Sequence, residues 1–99
     1  MTTVELIKNF IAGATEGKAS GGRLRIENDK LINYNTTIAQ RKNGLGVIIN
    51  MTKYSPTTSK HQNRLYNYVN HLYATVYEVP AGTLDLQEFI KEAEKELSR

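Results

Sequence analysis

The chain has 99 residues, 39% of them hydrophobic and 23% charged, with a net charge of +3 and no cysteine. That length suits a single domain, residues 1–99, with one modest core, and the apolar content excludes a disordered chain. Disulfides, thiolate metal ligands and a cysteine nucleophile are excluded, no apolar run approaches the ~20 residues of a membrane span, and Met1 to Glu5 lack the basic start and apolar stretch of a secretion signal.

The chain opens on a helix. Thr2 and Glu5 have the spacing of a capping box, and Val4, Ile7, Phe10, Ile11 and Ala14 recur at helical intervals. Gly13, Gly17, Gly21 and Gly22 end it and read as a flexible connector. Three strand-like runs follow: Arg23 to Glu27, Leu31 to about Arg41, and Gly46 to about Tyr54. Asn28-Asp29-Lys30 reads as a three-residue turn, and Asn43-Gly44 as a two-residue type I′ hairpin turn. With those turns Ile26 lies opposite Ile32, Arg25 opposite Asn33, Arg23 opposite Asn35, and Ile38 opposite Ile49. One sheet face then collects Leu24, Ile26, Ile32, Tyr34, Ile38, Val47, Ile49 and Met51; the other is polar, with Arg23, Arg25, Asn33, Asn35, Thr37, Asn50, Thr52 and Tyr54.

Ser55-Pro56 supplies an N-cap and a first helical residue, with Thr57 or Thr58 as alternative caps. Leu65, Val69, Leu72 and Val76 form an apolar stripe that extends this helix to Pro80-Ala81-Gly82. Asp85 and Glu88 form a second capping box, and Leu86, Phe89, Ile90, Ala93 and Leu97 give the last helix its core face. The expected fold is α+β, a three-stranded antiparallel sheet packed on helices in the order α-β-β-β-α-α.

Charge is uneven along the chain. Lys18 to Arg64 carries nine positive and two negative residues, a balance of +7, whereas Glu78 to Arg99 has six acids and three bases. Such asymmetry fits either an anionic partner for the middle of the chain or mutual attraction of the two regions in the fold.

Catalytic templates match poorly. His61 and His71 are ten residues apart, not at the spacing of a helical metal pair, and no carboxylate lies between Asp29 and Glu78. Gly44-Leu45-Gly46 lacks the lysine of a phosphate-binding loop, and the two glycosylation sequons at Asn35 and Asn50 are chance matches in a chain without a secretion signal. No cofactor is expected. His61 with Lys60, Arg64 and a tyrosine is the only set suited to general acid–base chemistry, as in a small metal-independent ribonuclease.

Two constellations suit binding better. Arg23, Arg25, Asn33 and Asn35 on the polar sheet face carry groups that read base edges and phosphates, against the plainer reading of a solvated face. Thr57, Thr58, Ser59, Lys60, His61 and Arg64 gather hydroxyls and cations where a helix begins, with Arg41 and Lys53 contributed by the strands. Free N–H groups and the helix dipole favour an anion there, against the plainer reading of a cap and a solvated turn.

The strings Tyr34-Asn35-Thr36-Thr37-Ile38-Ala39-Gln40-Arg41 and Asn50-Met51-Thr52-Lys53-Tyr54-Ser55-Pro56-Thr57-Thr58-Ser59-Lys60-His61-Gln62-Asn63 resemble a family of small phage and prophage proteins of unknown function. The resemblance implies a phage setting, where small proteins bind nucleic acid or disable a host defence, and it lends no catalytic residues. The expected activity is non-catalytic binding of a phosphate-bearing ligand, nucleic acid or nucleotide, in the cytoplasm of a host bacterium and without membrane contact. The alternative is an inhibitor of host defence, in the manner of an anti-CRISPR protein or a sink for a nucleotide signal. Six tyrosines, more than one core needs, also leave room for a homo-oligomer.

With no cysteine, two histidines and no acid between Asp29 and Glu78, chelator treatment is expected to leave the melting temperature unchanged. A fall of several degrees that one added metal restores would overturn this.

Overall fold

The computed structural model describes residues 1–19, 21–42, 46–69, 73–89 and 91. The first helix, α1 (Thr3–Ile11), starts where its capping box indicates. Thr2 Oγ1 accepts from the Glu5 N–H (3.2 Å) and donates to the Glu5 carboxylate (3.0 Å). Its buried face is Leu6, Ile7 and Phe10.

The sheet has six strands, not three, and it is mixed, not antiparallel. They are β1 (Glu16–Lys18), β2 (Leu24–Glu27), β3 (Lys30–Asn33), β4 (Thr36–Lys42), β5 (Gly46–Asn50) and β6 (Tyr73–Val76), neighbours in that order. The pairs are antiparallel except β5 with β6, which is parallel. The expected three-stranded antiparallel α-β-β-β-α-α arrangement is therefore overturned at three places.

The glycine connector contains a strand. Gly17 of β1 pairs with Ile26, and a β-carbon there would meet Leu6 Cδ1 at 2.9 Å, so glycine permits the close approach of α1 to this edge. The second expected strand is two. Tyr34-Asn35 forms a tight turn between Asn33 and Thr36, with Tyr34 in the left-handed region at φ 56°. The helix expected to run on to Pro80 stops early: α2 spans Pro56–Tyr68, and Tyr73–Val76 returns as β6. A parallel neighbour for β5 needs a crossover of a dozen or more residues, and α2 provides it. Val76 fits the helical stripe of Leu65, yet alternate burial in Tyr73–Val76 is the period of a strand.

Register differs as well. Glu27 pairs with Lys30 across a two-residue Asn28-Asp29 turn, so Leu24 faces Asn33, Arg25 faces Ile32 and Ile26 faces Leu31. Asn28 takes the left-handed conformation, φ 56°, that such a turn requires. Between β4 and β5, Ala39 faces Ile49 and Lys42 faces Gly46. The predicted Asn43-Gly44 turn itself lies outside the described residues, as do His71, Leu72, Ile90, Ala93 and Leu97. A bulge after Leu31 leaves Ile32 opposite Thr37 and gives β4 one extra residue, Ile38. Ile32 and Asn33 have thus exchanged the faces expected for them.

Both faces of the sheet are covered. On one side Leu6, Ile7 and Phe10 of α1 and Leu65 of α2 pack on Leu24, Ile26, Leu31, Ile38, Val47 and Ile49. On the other, Val79 and Leu86 pack on Ile48, Ala74 and Val76, with half-buried Phe89 beside them. Residues 87–89 form the start of a third short helix, and the Gln87 N–H is capped by Asp85 Oδ1 (2.9 Å).

The C-terminal segment takes up the polar groups that were expected to face water. The Thr37 N–H donates to the Thr83 carbonyl (2.9 Å) and its hydroxyl to the Leu84 carbonyl (2.8 Å). Gln40 Oε1 accepts from the Leu86 N–H (3.0 Å), and Thr36 Oγ1 from the Gly82 N–H (2.8 Å). The Asn50 amide donates to the Thr37 carbonyl (3.2 Å) and to the Tyr54 hydroxyl (2.9 Å), which donates to the Val79 carbonyl (2.6 Å).

Gln40→Ala leaves the Leu86 N–H without its buried acceptor. The expected cost is about 1–3 kcal/mol, or several degrees of melting temperature in a domain of this size. Thermal unfolding followed by circular dichroism measures it, and an unchanged midpoint would show that Gln40 does not hold the segment.

Candidate functional site

One end of the sheet stays open. There the β3–β4 turn, the start of α2 and the Pro80–Gly82 turn border a cavity of about 360 Å³, lined by Asn33, Tyr34, Tyr54, Ser55, Thr58 and Ala81 among others. Ser55 is the N-cap of α2: its extended backbone turns the chain into the helix, and its hydroxyl oxygen accepts from the Thr58 N–H (3.2 Å). The Ser55 hydroxyl also donates to Thr58 Oγ1 (3.0 Å). Asn33, at the end of β3 on the helix side of the sheet, donates from Nδ2 to that same Thr58 oxygen (2.8 Å). The two constellations expected to be separate, one on strands and one on a helix, therefore meet.

Asn33 is only 2% exposed and its Oδ1 has no hydrogen-bond partner. Leaving a buried carbonyl oxygen unpaired costs about 1–3 kcal/mol, so this atom wants a donor. Beside it Tyr34 is 50% exposed and held in its left-handed turn by two bonds: its N–H donates to the Arg23 carbonyl (2.8 Å), and its carbonyl accepts from Arg25 Nη1 (2.6 Å). Strained, exposed aromatic residues of this kind concentrate at functional sites.

The other candidate residues divide by what already holds them. Arg23 is exposed, with its guanidinium 5.8 Å from the centre of the Tyr34 ring. Arg25 is half-buried, paired with Glu27 (3.2 Å) and with the Tyr34 carbonyl, on the opposite sheet face from Asn33. Asn35 is exposed in the turn. Lys53 is exposed on the segment between β5 and α2. On α2, Thr57, Lys60 and Arg64 follow one another along the exposed side, Ser59 is half-buried, and Thr58 is buried.

Arg41 belongs to a different place. Its guanidinium donates to the carbonyls of Phe10 (2.5 Å), Ala14 (2.9 Å) and Asn28 (2.7 Å) and sits 4.7 Å from the Phe10 ring centre. It thereby closes the C-terminal end of α1, as a cation suits a helix C-terminus. Burial pushes its pKa down, and the nearby Asp29 carboxylate opposes that. A second, open cavity of about 450 Å³ lies beside it, bordered by Asp29, Gln40, Lys42 and Gln87.

Tyr34 and Ala81 were not foreseen as site residues. Tyr34 carried a signal, since Asn33-Tyr34-Asn35 brackets it with turn-forming residues. Ala81 carried none, because only the fold of the C-terminal segment brings it to the cavity. Among the described residues no group of three or more His, Asp or Glu side chains could hold a metal ion, and no helix is long and apolar enough to cross a membrane.

The β3–β4 turn, the start of α2 and the Pro80–Gly82 turn thus meet around one cavity at this end of the mixed sheet. The chain belongs to a family of unknown function, DUF8033, whose model matches residues 6–75, a stretch that includes Asn33, Tyr34, Ser55 and Thr58 but not Ala81. No curated protein and no solved structure matches the chain.

His61 tests the electrostatics of this surface. Burial first, and the neighbouring Arg64 second, hold its imidazole below the ordinary value of 6.5. The unfolded chain then takes up a proton that the folded chain refuses. The contribution of His61 to stability is complete above about pH 6.5 and is lost as pH falls through its lowered folded value. In an NMR titration His61 should have a midpoint below that of a free histidine, and Arg64→Ala should raise it. A midpoint that Arg64→Ala leaves unmoved would remove Arg64 as a cause.

Proposed function

We propose that this protein is a non-catalytic binding protein for a phosphate-bearing ligand, and that the ligand is nucleic acid. The observation that carries the reading is the Asn33–Thr58 hydrogen bond, which joins the β3–β4 turn to the N-terminus of α2 beside one cavity. The first turn of α2 is the positive end of the helix dipole and has no acidic residue to compete with a phosphate. Arg23, Lys53, Lys60 and Arg64 are exposed, so their charge is available to a polyanion. Among the described residues the ion pair present is Arg25 with Glu27, and both lie within the basic block.

The phage or prophage setting implied by the Tyr34–Arg41 and Asn50–Asn63 strings is part of this proposal. There a nucleic-acid binder or a defence inhibitor is equally at home. One observation favours the second reading. Tyr66, Tyr73 and Tyr77 are exposed around β6, the edge strand of the sheet, with Tyr66 and Tyr73 hydroxyls 3.0 Å apart. Exposed tyrosines beside a strand edge suit a protein partner.

Salt separates the two. Binding to single-stranded oligonucleotide should weaken steeply as salt rises, and a packed protein interface much less. Lys60→Ala combined with Arg64→Ala should lower oligonucleotide affinity and flatten the logarithmic salt slope by about one to two units, with the folding stability within about half a kcal/mol of the parent. An unchanged affinity and slope would sink the nucleic-acid reading at this helix.

A further inference from the structure

We infer that the cavity at the head of α2 is a nucleobase pocket, in which Asn33 and Thr58 read the polar edge of an unpaired base and Tyr34 supplies the stacking ring. The inference rests on the phosphate-bearing-ligand reading and goes further, because phosphate cannot satisfy the atom left open. Asn33 Oδ1 is an acceptor, buried and without a partner. Phosphate and carboxylate oxygens are acceptors too and would face it with like polarity. What fits is a donor, an N–H or an O–H.

Thr58 makes the requirement more specific. Its Oγ1 accepts from the Ser55 hydroxyl (3.0 Å) and from Asn33 Nδ2 (2.8 Å). Two donors already point at this oxygen, so its own proton is directed elsewhere. Asn33, with its unpartnered acceptor, and Thr58, whose proton neither of these bonds uses, are hydrogen-bonded to each other and both line the cavity. A ligand edge with an N–H next to a carbonyl or a ring nitrogen is complementary to that pair. Nucleobases carry such edges when unpaired, and recognition of unpaired bases combines edge hydrogen bonds with stacking on an aromatic ring.

The surroundings agree. A volume of about 360 Å³ falls within the range of small-ligand sites. Tyr34 is half exposed, so part of its ring is free to stack. Arg23 lies over that ring, where a guanidinium can accompany a stacked base and meet its phosphate. A metal cation is a poorer occupant, because hard cations want carboxylates and none lines the cavity.

Free nucleotides and single strands present the same chemistry, and titrations distinguish them. The full chain is titrated with a short single-stranded oligonucleotide, an abasic strand of the same length, and nucleoside monophosphates, while the Asn33 side-chain amide signals are followed by NMR. The base-bearing strand should bind about tenfold or more tightly than the abasic one, the worth of one stacked base, and should shift the Asn33 amide signals. Comparable binding of a monophosphate makes a free nucleotide the natural source; much weaker binding makes it a strand; either supports the pocket. Tyr34→Gly removes the ring while suiting the φ of 56°, so the fold persists, and it should reduce binding of the base-bearing strand to the abasic level. Asn33→Ser should do the same. Equal binding of both strands, or Asn33 signals that never move, would overturn the pocket and leave the phosphate reading standing. Binding of none of the three ligands would overturn both.

Discussion

Thr37, Gln40 and Asn50 lie on a sheet face closed off from water, and each passes a hydrogen bond to a later part of the chain or to a residue that does. A buried amide or hydroxyl without a partner is costly, so these residues oblige something polar to lie across the strands. The segment from Val79 to Leu86 meets that obligation with backbone groups: carbonyls at Thr83 and Leu84, and N–H groups at Gly82 and Leu86. Because the partners are backbone atoms, the path of the segment is fixed residue by residue, and Val79 and Leu86 then add apolar contact with Ile48, Ala74 and Val76. Sealing this face with chain also brings Ala81 to the open end of the sheet.

The same economy governs the helix side. β5 and β6 run parallel, so the chain must cross from one end of the sheet to the other, and α2 makes that crossing. Its first turn is thereby delivered to the end of the sheet where β3 turns into β4. Gln62 anchors it from the buried side, donating to the carbonyls of Asn50 (2.6 Å) and Thr52 (2.8 Å). Ser55 and Thr58 are held against Asn33 by sheet topology, and their relation to the turn does not depend on a flexible loop.

Local rules read this chain well and non-local ones badly. The caps at Thr2, Ser55 and Asp85 and the apolar face of β5 follow from residues a few positions apart and were legible, as were Ile7 and Phe10 of α1, whose buried Leu6 was missed. The parallel strand was not, because Leu65, Val69, Leu72 and Val76 satisfy helical spacing while Val76 belongs to a strand, and only pairing with β5 decides between them. Register failed by one residue at each turn, which sufficed to send Asn33 to the helix side and Ile32 to the other. The polar content of the strands was correctly noticed, but the meaning of an amide depends on what lies opposite it. The helix start was legible as a place of hydroxyls and cations; its meeting with Asn33 was not.

Asn33 and Asn50 make the contrast between fold and site concrete. Both are asparagines at the ends of buried strands. Asn50 uses its amide completely: Nδ2 serves the Thr37 carbonyl and the Tyr54 hydroxyl, and Oδ1 accepts from the Thr52 N–H (3.0 Å). Its environment is closed, and leucine there would strand three partners. The Asn33 amide donates to Thr58, while its buried oxygen stays unpaired in a residue that lines a cavity. A residue retained only for folding would gain by full pairing or by an apolar replacement, since a half-satisfied buried amide is worse than either. The deficit lies next to an exposed tyrosine in a left-handed turn, a second local cost that its bonds to the Arg23 carbonyl and to Arg25 Nη1 hold in place. Two unfavourable features thus sit at one end of the sheet, and the proposed ligand is one whose donor would relieve the first and whose ring would stack on the second.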